Sequence, residues 1–415
     1  VVLSGIGVIL GAGIYALIGE AASSAGNALW LTFILAAAIA AFTGLSYAEL
    51  SSMFPLASAE YEYVTRSFGH RLAFIVGVMV ILSGIVGAAT VAFGFAGYFE
   101  VLVPLPLSVT AALLLMLLSV ILYAGIRQSA AFVILFTLIE VAGLLGIIAI
   151  GFPYLGSVDY LEMPSGLTGV LQASALIFFA YQGFEEIVKL SEETREPEKT
   201  IPRGLLLAIM VTIVLYVLVA ISSVSVGGWE ALAGSPAPFT DIARRALGNE
   251  ASLAFTVIAL FATANTALLM LLSSSRIMYG MARSGSLPAA LGRVHQKNRT
   301  PWVATAGALG LSLVFLLLGS LRSIALVANF TLYITFVVIN AAVIALRLRM
   351  PDHPRPFRIP GRISRIPLIP VFGILTCLLF MFQMEAGILL IGAGLILAAA
   401  IIDLALQTGR KRANP

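Results

Sequence analysis

The sequence predicts an all-α protein that crosses a membrane many times. Three observations carry that reading. The 415 residues are 60% hydrophobic and only 11% charged, less than half the roughly 25% charge of a soluble domain. Mean hydropathy is +1.04. The apolar residues also fall in blocks close to the ~20 residues that a helix needs to cross a hydrocarbon core about 30 Å thick.

Taken in order, the blocks give about twelve spans. They lie near residues 1–22, 27–50, 71–100, 107–125, 130–152, 168–190, 203–226, 250–282, 301–319, 321–347, 367–383 and 386–406. The first contains "GIGVILGAGIYALIGE", with Gly7, Gly11 and Gly13 crowding its centre. Gly weakens a helix by roughly 1 kcal/mol relative to Ala, and an unpaired backbone group in lipid costs several kcal/mol. A break here requires something else to satisfy the freed groups. For this span alone, close helix packing through glycine explains the pattern equally well.

The fifth block carries Glu140, the only ionisable residue between Ala130 and Gly151. A charge at mid-membrane is costly, so an intramembrane carboxylate is a functional candidate by default. The sixth, "LQASALIFFAYQGFEEIVKL", is interrupted by Gln182–Gly183 and then by Glu185–Glu186. Between the seventh and eighth, "SPAPFTDIARRALG" predicts a short amphipathic helix over the mouth of the bundle.

Orientation follows from Lys and Arg, which favour the cytoplasmic side. An even number of spans places both termini together. The basic end "GRKRANP" shares its side with Arg66, Arg71, Arg127, Lys199, Arg203, Arg293 to Arg299 and Arg347 to Arg365, whereas the other side has Arg244, Arg245 and Arg322. A multi-pass protein of the cell membrane with both termini cytoplasmic is expected. The chain opens without Met inside an apolar segment, so a short polar stretch ahead of Val1 is expected, and no cleavable signal peptide is read before the first span.

Other classes are disfavoured. Cys377 has no partner for an intrachain disulfide. His70, His295 and His353 are isolated, so neither metal site nor cofactor is expected. The basic residues sit at span ends rather than along one stripe, which gives no nucleic-acid footprint. The linkers are too short for a soluble catalytic domain, and neither H-E-x-x-H nor a Ser/His/Asp set occurs in the spans. An enzyme is not expected.

Breaks in spans one and six match transporters built of two inverted five-span halves, each opening with a discontinuous helix. A half-helix N-terminus after Gly13 offers N–H groups and positive dipole potential to a carboxylate. The break near Tyr181 offers carbonyls to an ammonium. Together they suit a zwitterion.

Five motifs then resemble one family in order. They are "GAGIYALIGEAASSAG", "LSYAELSSMFPLASAEYEYVTRSFG", "FFAYQGFEEIVKLSEETREPEKTIPRG", "SSSRIMYGMARSGSLP" and "RLRMPDHPRPFRIPG". The chain is similar over nearly its whole length to the amino acid–polyamine–organocation (APC) superfamily of permeases, in particular its proton-coupled and cationic amino-acid transporters. Tyr15 stands where Phe is more usual. The resemblance implies a LeuT-like fold: a first repeat over 1–152, a second over 168–347, two further helices over 367–406 and a cytoplasmic tail over 407–415. It implies an α-amino-acid permease working by alternating access. The substrate carboxylate would meet the N–H groups of Gly11, Ala12 and Gly13. The ammonium would meet carbonyls of Ile9, Phe179, Ala180 and Gln182. Phe178, Tyr181 and Phe184 would form pocket wall or gate.

Proton-coupled relatives carry a fifth-span lysine at the position of Glu140, so the charge is reversed here. Glu140 is expected to carry the proton. The alternatives are a sodium ligand acting with Thr263, Asn265 and Thr266, or a structural carboxyl. Glu185 either faces the pocket and favours cationic substrates or stabilises the second half-helix. Glu49, Glu60, Glu192, Glu193 and Arg276 are candidates for gate ion pairs. The expected partners are an amino acid, H+ and the lipid bilayer. The rival functions are a cationic amino-acid or polyamine exchanger without ion coupling and a non-transporting amino-acid sensor.

Overall fold

The computed structural model describes residues 2–56, 58–125, 130–363 and 366–413. Arg127 and Arg365, two of the basic residues used for orientation, lie outside them, as does Ala57 of the second motif.

The first broken segment is α1 (Val2–Ile9) and α2 (Gly13–Ala25), joined by non-helical Leu10 to Ala12. A one-turn 3-10 segment, Gly26–Ala28, leads into α3 (Leu29–Met53). Then come α4 (Ala59–Phe68), α5 (His70–Glu100), α6 (Leu107–Ala124) and α7 (Ala130–Gly151). The second broken segment is α8 (Gly166–Ile177) followed by 3-10 turns over Phe178–Tyr181 and Phe184–Glu193. After it run α9 (Pro197–Ser225), α10 (Pro238–Leu247), α11 (Asn249–Arg283), α12 (Trp302–Leu316), α13 (Leu321–Arg349), α14 (Leu368–Met381) and α15 (Ala386–Ala413).

Nine helical stretches among the described residues are long and apolar enough to cross a membrane, the first of them holding both α2 and α3. Helices α12 and α14 are shorter and apolar. The protein is therefore a mostly helical, multi-pass membrane protein. Helices α2, α3, α5, α8 and α13 form the buried interior. The outer helices present apolar side chains to the surroundings: Leu113, Leu117 and Val120 on α6, Met210, Val214 and Leu218 on α9, Leu390 and Leu397 on α15. In water such a face would be a liability. Against lipid tails it is the required surface.

Local chemistry places the ends. Pro197 and Pro238 open α9 and α10, where a missing N–H leaves no bond unmade. Ser320 caps α13 by accepting the N–H of Ser323 at 3.1 Å. The amphipathic helix over the mouth is α10, and it packs on α11.

Four features differ from the sequence reading. Helix α4 is an extra short helix on the face of the basic connections, its charges Glu60, Glu62 and Arg66 having masked its helical period. The all-α expectation gains a two-stranded antiparallel ribbon, Arg362–Ile363 with Ile366–Pro367. Helix α9 starts six residues before position 203 because Pro197 sits at its first turn rather than breaking it. Residues 407–413, read as a tail, continue α15.

Candidate functional site at the two helix breaks

The breaks meet each other in the interior, where residues 9–13 and 178–184 are buried. A Cβ built on Gly13 would lie 2.7 Å from Ala180 Cα and 3.2 Å from Phe179 Cδ1, so only glycine allows this approach. Gly183 has φ +116°, a left-handed value that frees the chain from helix at the second break.

Each freed backbone group has a traceable fate, as burial demands. Thr266 Oγ1 of α11 accepts the Ala12 N–H at 2.9 Å. Among the described residues no side chain accepts the N–H of Gly11 or Gly13. The Tyr216 hydroxyl of α9 lies 3.0 Å from the carbonyl oxygens of both Ile9 and Ala180. The Phe179 carbonyl accepts the Gln182 N–H at 3.2 Å, closing a 3-10 turn. On α13, Asn329 donates to the carbonyls of Ala175 and Leu176 at 2.8 and 2.9 Å, and the Tyr333 hydroxyl to Ala175 at 3.0 Å. The Gln182 side-chain oxygen is buried without a partner among the described residues.

The aromatic candidates are tied into the packing. Phe178 stacks at an angle on Tyr333, and Phe184 on Phe336, with ring centroids 5.1 and 5.2 Å apart. The Tyr181 hydroxyl donates to the Phe33 carbonyl at 3.0 Å. Glu185 Oε2 accepts the Gly183 N–H at 3.0 Å, the position of a carboxylate stabilising the start of the second half.

Glu140 on α7 is 1% exposed. Asn265 donates to its Oε1 at 3.3 Å, and Oε2 has no hydrogen-bond partner among the described residues. Its carbonyl accepts the Tyr15 hydroxyl at 2.8 Å, so the hydroxyl that replaces the usual Phe ties α2 to α7. Asn265 and Thr266 are adjacent on α11, so one turn of that helix touches both Glu140 and the first break. The Thr263 hydroxyl, three residues before Thr266 on α11, bonds back to the Ala259 carbonyl at 2.6 Å.

At the face of the basic connections, Glu49 is held by Arg347 at 2.9 and 2.5 Å, by Arg355 at 3.3 Å and by the Ile359 N–H at 2.9 Å. Glu60 lies 4.0 Å from Lys189, which also pairs with Glu186 at 2.5 Å. Glu193 and Arg276 are exposed and form no ion pair among the described residues, while Glu192 has interactions of its own. Sequence reading missed Tyr216, Asn329, Tyr333, Arg347 and Arg355. The available signal was a tyrosine or asparagine inside an apolar span, since a buried Tyr hydroxyl requires a partner.

A family model described as amino acid permease matches residues 1–400. A branched-chain amino acid permease of Bacillus subtilis is 32% identical over 92% of this chain and 86% of its own. A methylthioribose transporter of the same organism is 31% identical over 92% and 86%. A vacuolar cationic amino acid transporter of Arabidopsis thaliana is 30% identical over 84% and 62%. With the broken helices, their bridged carbonyls and this match along nearly the whole length, the chain belongs to the amino acid permease family of the APC superfamily.

Proposed function

We propose that the protein is a secondary active transporter that moves α-amino acids by alternating access, coupled to protons through Glu140. The observation that carries this reading is the meeting of the two breaks. The start of α2 at Gly13 faces the need of a carboxylate, and the carbonyls of Ile9 and Ala180 face that of an ammonium. The names of the branched-chain and cationic amino-acid relatives support the substrate class. Methylthioribose has neither a carboxylate nor an ammonium to use these groups.

In this reading α2 and α3 are separate passes, and α12 and α14 also cross, which makes twelve spans with both termini cytoplasmic. The packing supports two inverted repeats, 1–152 and 168–347: spans one and six pack together through α2 and α8, α3 packs on α9 and α5 on α11, each span against its counterpart in the other half. A two-fold axis brings equivalent elements together in that way.

Glu140 is suited to carry the proton because it is buried and, among the described residues, has no countercharge and keeps one oxygen unbonded beside the turn that holds the first break. Uptake into sodium-free proteoliposomes, with and without an inward pH gradient, tests the reading on leucine, arginine and methylthioribose. Wild type accumulates an amino acid with the gradient, and Glu140→Gln loses that accumulation but still exchanges. Uptake of methylthioribose alone refutes the substrate class. Gradient-independent uptake, unchanged in the variant, refutes the coupling.

A further inference from the structure

We propose that the Tyr216 hydroxyl is itself an ammonium ligand, the third acceptor for a primary ammonium held between the breaks. The inference rests on the amino-acid reading above. Tyr216 comes from α9, outside both breaks, and is fully buried. Edge contacts fix its ring, with centroids 5.7 Å from Phe33 and 5.3 Å from Tyr181. The oxygen is thus held 3.0 Å from both the Ile9 and the Ala180 carbonyl.

The count of donors and acceptors points to a ligand. A tyrosine hydroxyl has one proton and two lone pairs. It stands between two carbonyls that receive no backbone N–H among the described residues. Three buried oxygens share a single proton, so the group lacks donors, and a buried acceptor without a donor is unfavourable. A primary ammonium brings three N–H donors and no acceptor. Seated against the three oxygens, it satisfies all of them while the tyrosine proton keeps one carbonyl as partner. A secondary ammonium has two N–H groups and leaves one oxygen unmet.

The competing role is a structural pin, in which only the tyrosine proton matters. The test measures binding of L-leucine and L-arginine, each beside its N-methyl derivative, to purified wild type and Tyr216→Phe. For the primary amine that binds, Tyr216→Phe weakens affinity about tenfold or more, the range of one charge-assisted hydrogen bond. For its N-methyl derivative the loss stays under about threefold. Equal loss for both, or no loss, overturns the proposal while leaving amino-acid transport standing. Wild type that binds none of the four overturns both. If Tyr216→Phe does not fold, 3-fluorotyrosine at position 216 replaces it. Fluorine strengthens the hydroxyl as a donor and weakens it as an acceptor. An ammonium ligand then shows weaker binding of the primary amine, whereas a pin shows none.

Discussion

Single residues were legible in this sequence when their chemistry was out of place in lipid. Glu140 announced itself as an isolated carboxylate, and the structure puts it 3.3 Å from Asn265, one residue before the threonine that holds the first break. Tyr216 did not, because a tyrosine in an apolar span has many bland uses and its two carbonyl partners are 207 and 36 residues away. Glu60 shows what burial does to a charge outside the spans. Its carboxyl is pushed above the usual carboxylate range first by loss of water and further by Glu186, against the pull of Lys189 and of the Tyr47 hydroxyl. The sign of the consequence follows from linkage. A carboxyl with a raised value in the folded state adds stability below its ordinary value, and that stability is lost as pH rises through the folded value. The melting temperature of wild type relative to Glu60→Gln is therefore expected to fall between the ordinary value of 4.5 and the raised folded-state value. An offset constant across that window would show that Glu60 keeps its ordinary proton affinity.

At the scale of elements, the sequence placed both breaks correctly because glycine in a membrane helix carries a cost that must be met. It left open whether Gly13 serves a ligand or a neighbouring helix. In the folded protein Gly13 lies directly against Ala180, so its missing Cβ is required for helix contact before any ligand arrives. Loss of transport in Gly13→Val would not by itself report on a carboxylate site. Gly13→Ala is expected to cost about 1–3 kcal/mol of stability, the range for overpacking a tight interior, and a thermal melt beside leucine uptake checks it. Unchanged stability would mean that the two breaks can separate freely at this point. The 3-10 form of residues 178–181 and 184–193 was not legible. It depends on tertiary partners, with α13 capturing the Ala175 and Leu176 carbonyls through Asn329 and Tyr333, and no local pattern records that.

For the whole molecule, composition sufficed to show many membrane passes, but not how the two ends are closed. The closures are built from distant parts of the chain. At the basic face, Glu49 of α3 joins Arg347 of α13 and the strap after it, where Arg355 and Ile359 lie. At the opposite face, Asn27 joins Glu162 at 2.6 Å and accepts the Trp229 N–H at 2.9 Å, and Trp229 Nε1 donates to Glu162 at 3.3 Å. The two closures have unequal strength. Removing one partner of a buried ion pair strands the other and costs about 3–5 kcal/mol, whereas loss of the neutral Asn27 amide costs about 1–3 kcal/mol. Under the proposed alternating access the protein is then held more firmly at the basic face, and weakening either closure should bias it toward opening there. Cysteines at 187 and 17, introduced singly after Cys377→Ala, report on the two halves of the path, since Ile187 and Leu17 are both buried now. Arg347→Leu is expected to speed maleimide labelling at 187 and slow it at 17, and Asn27→Ala to do the reverse with the smaller effect. If both variants speed labelling at both positions, the closures hold the fold together without governing access, and opening must be controlled at the breaks themselves.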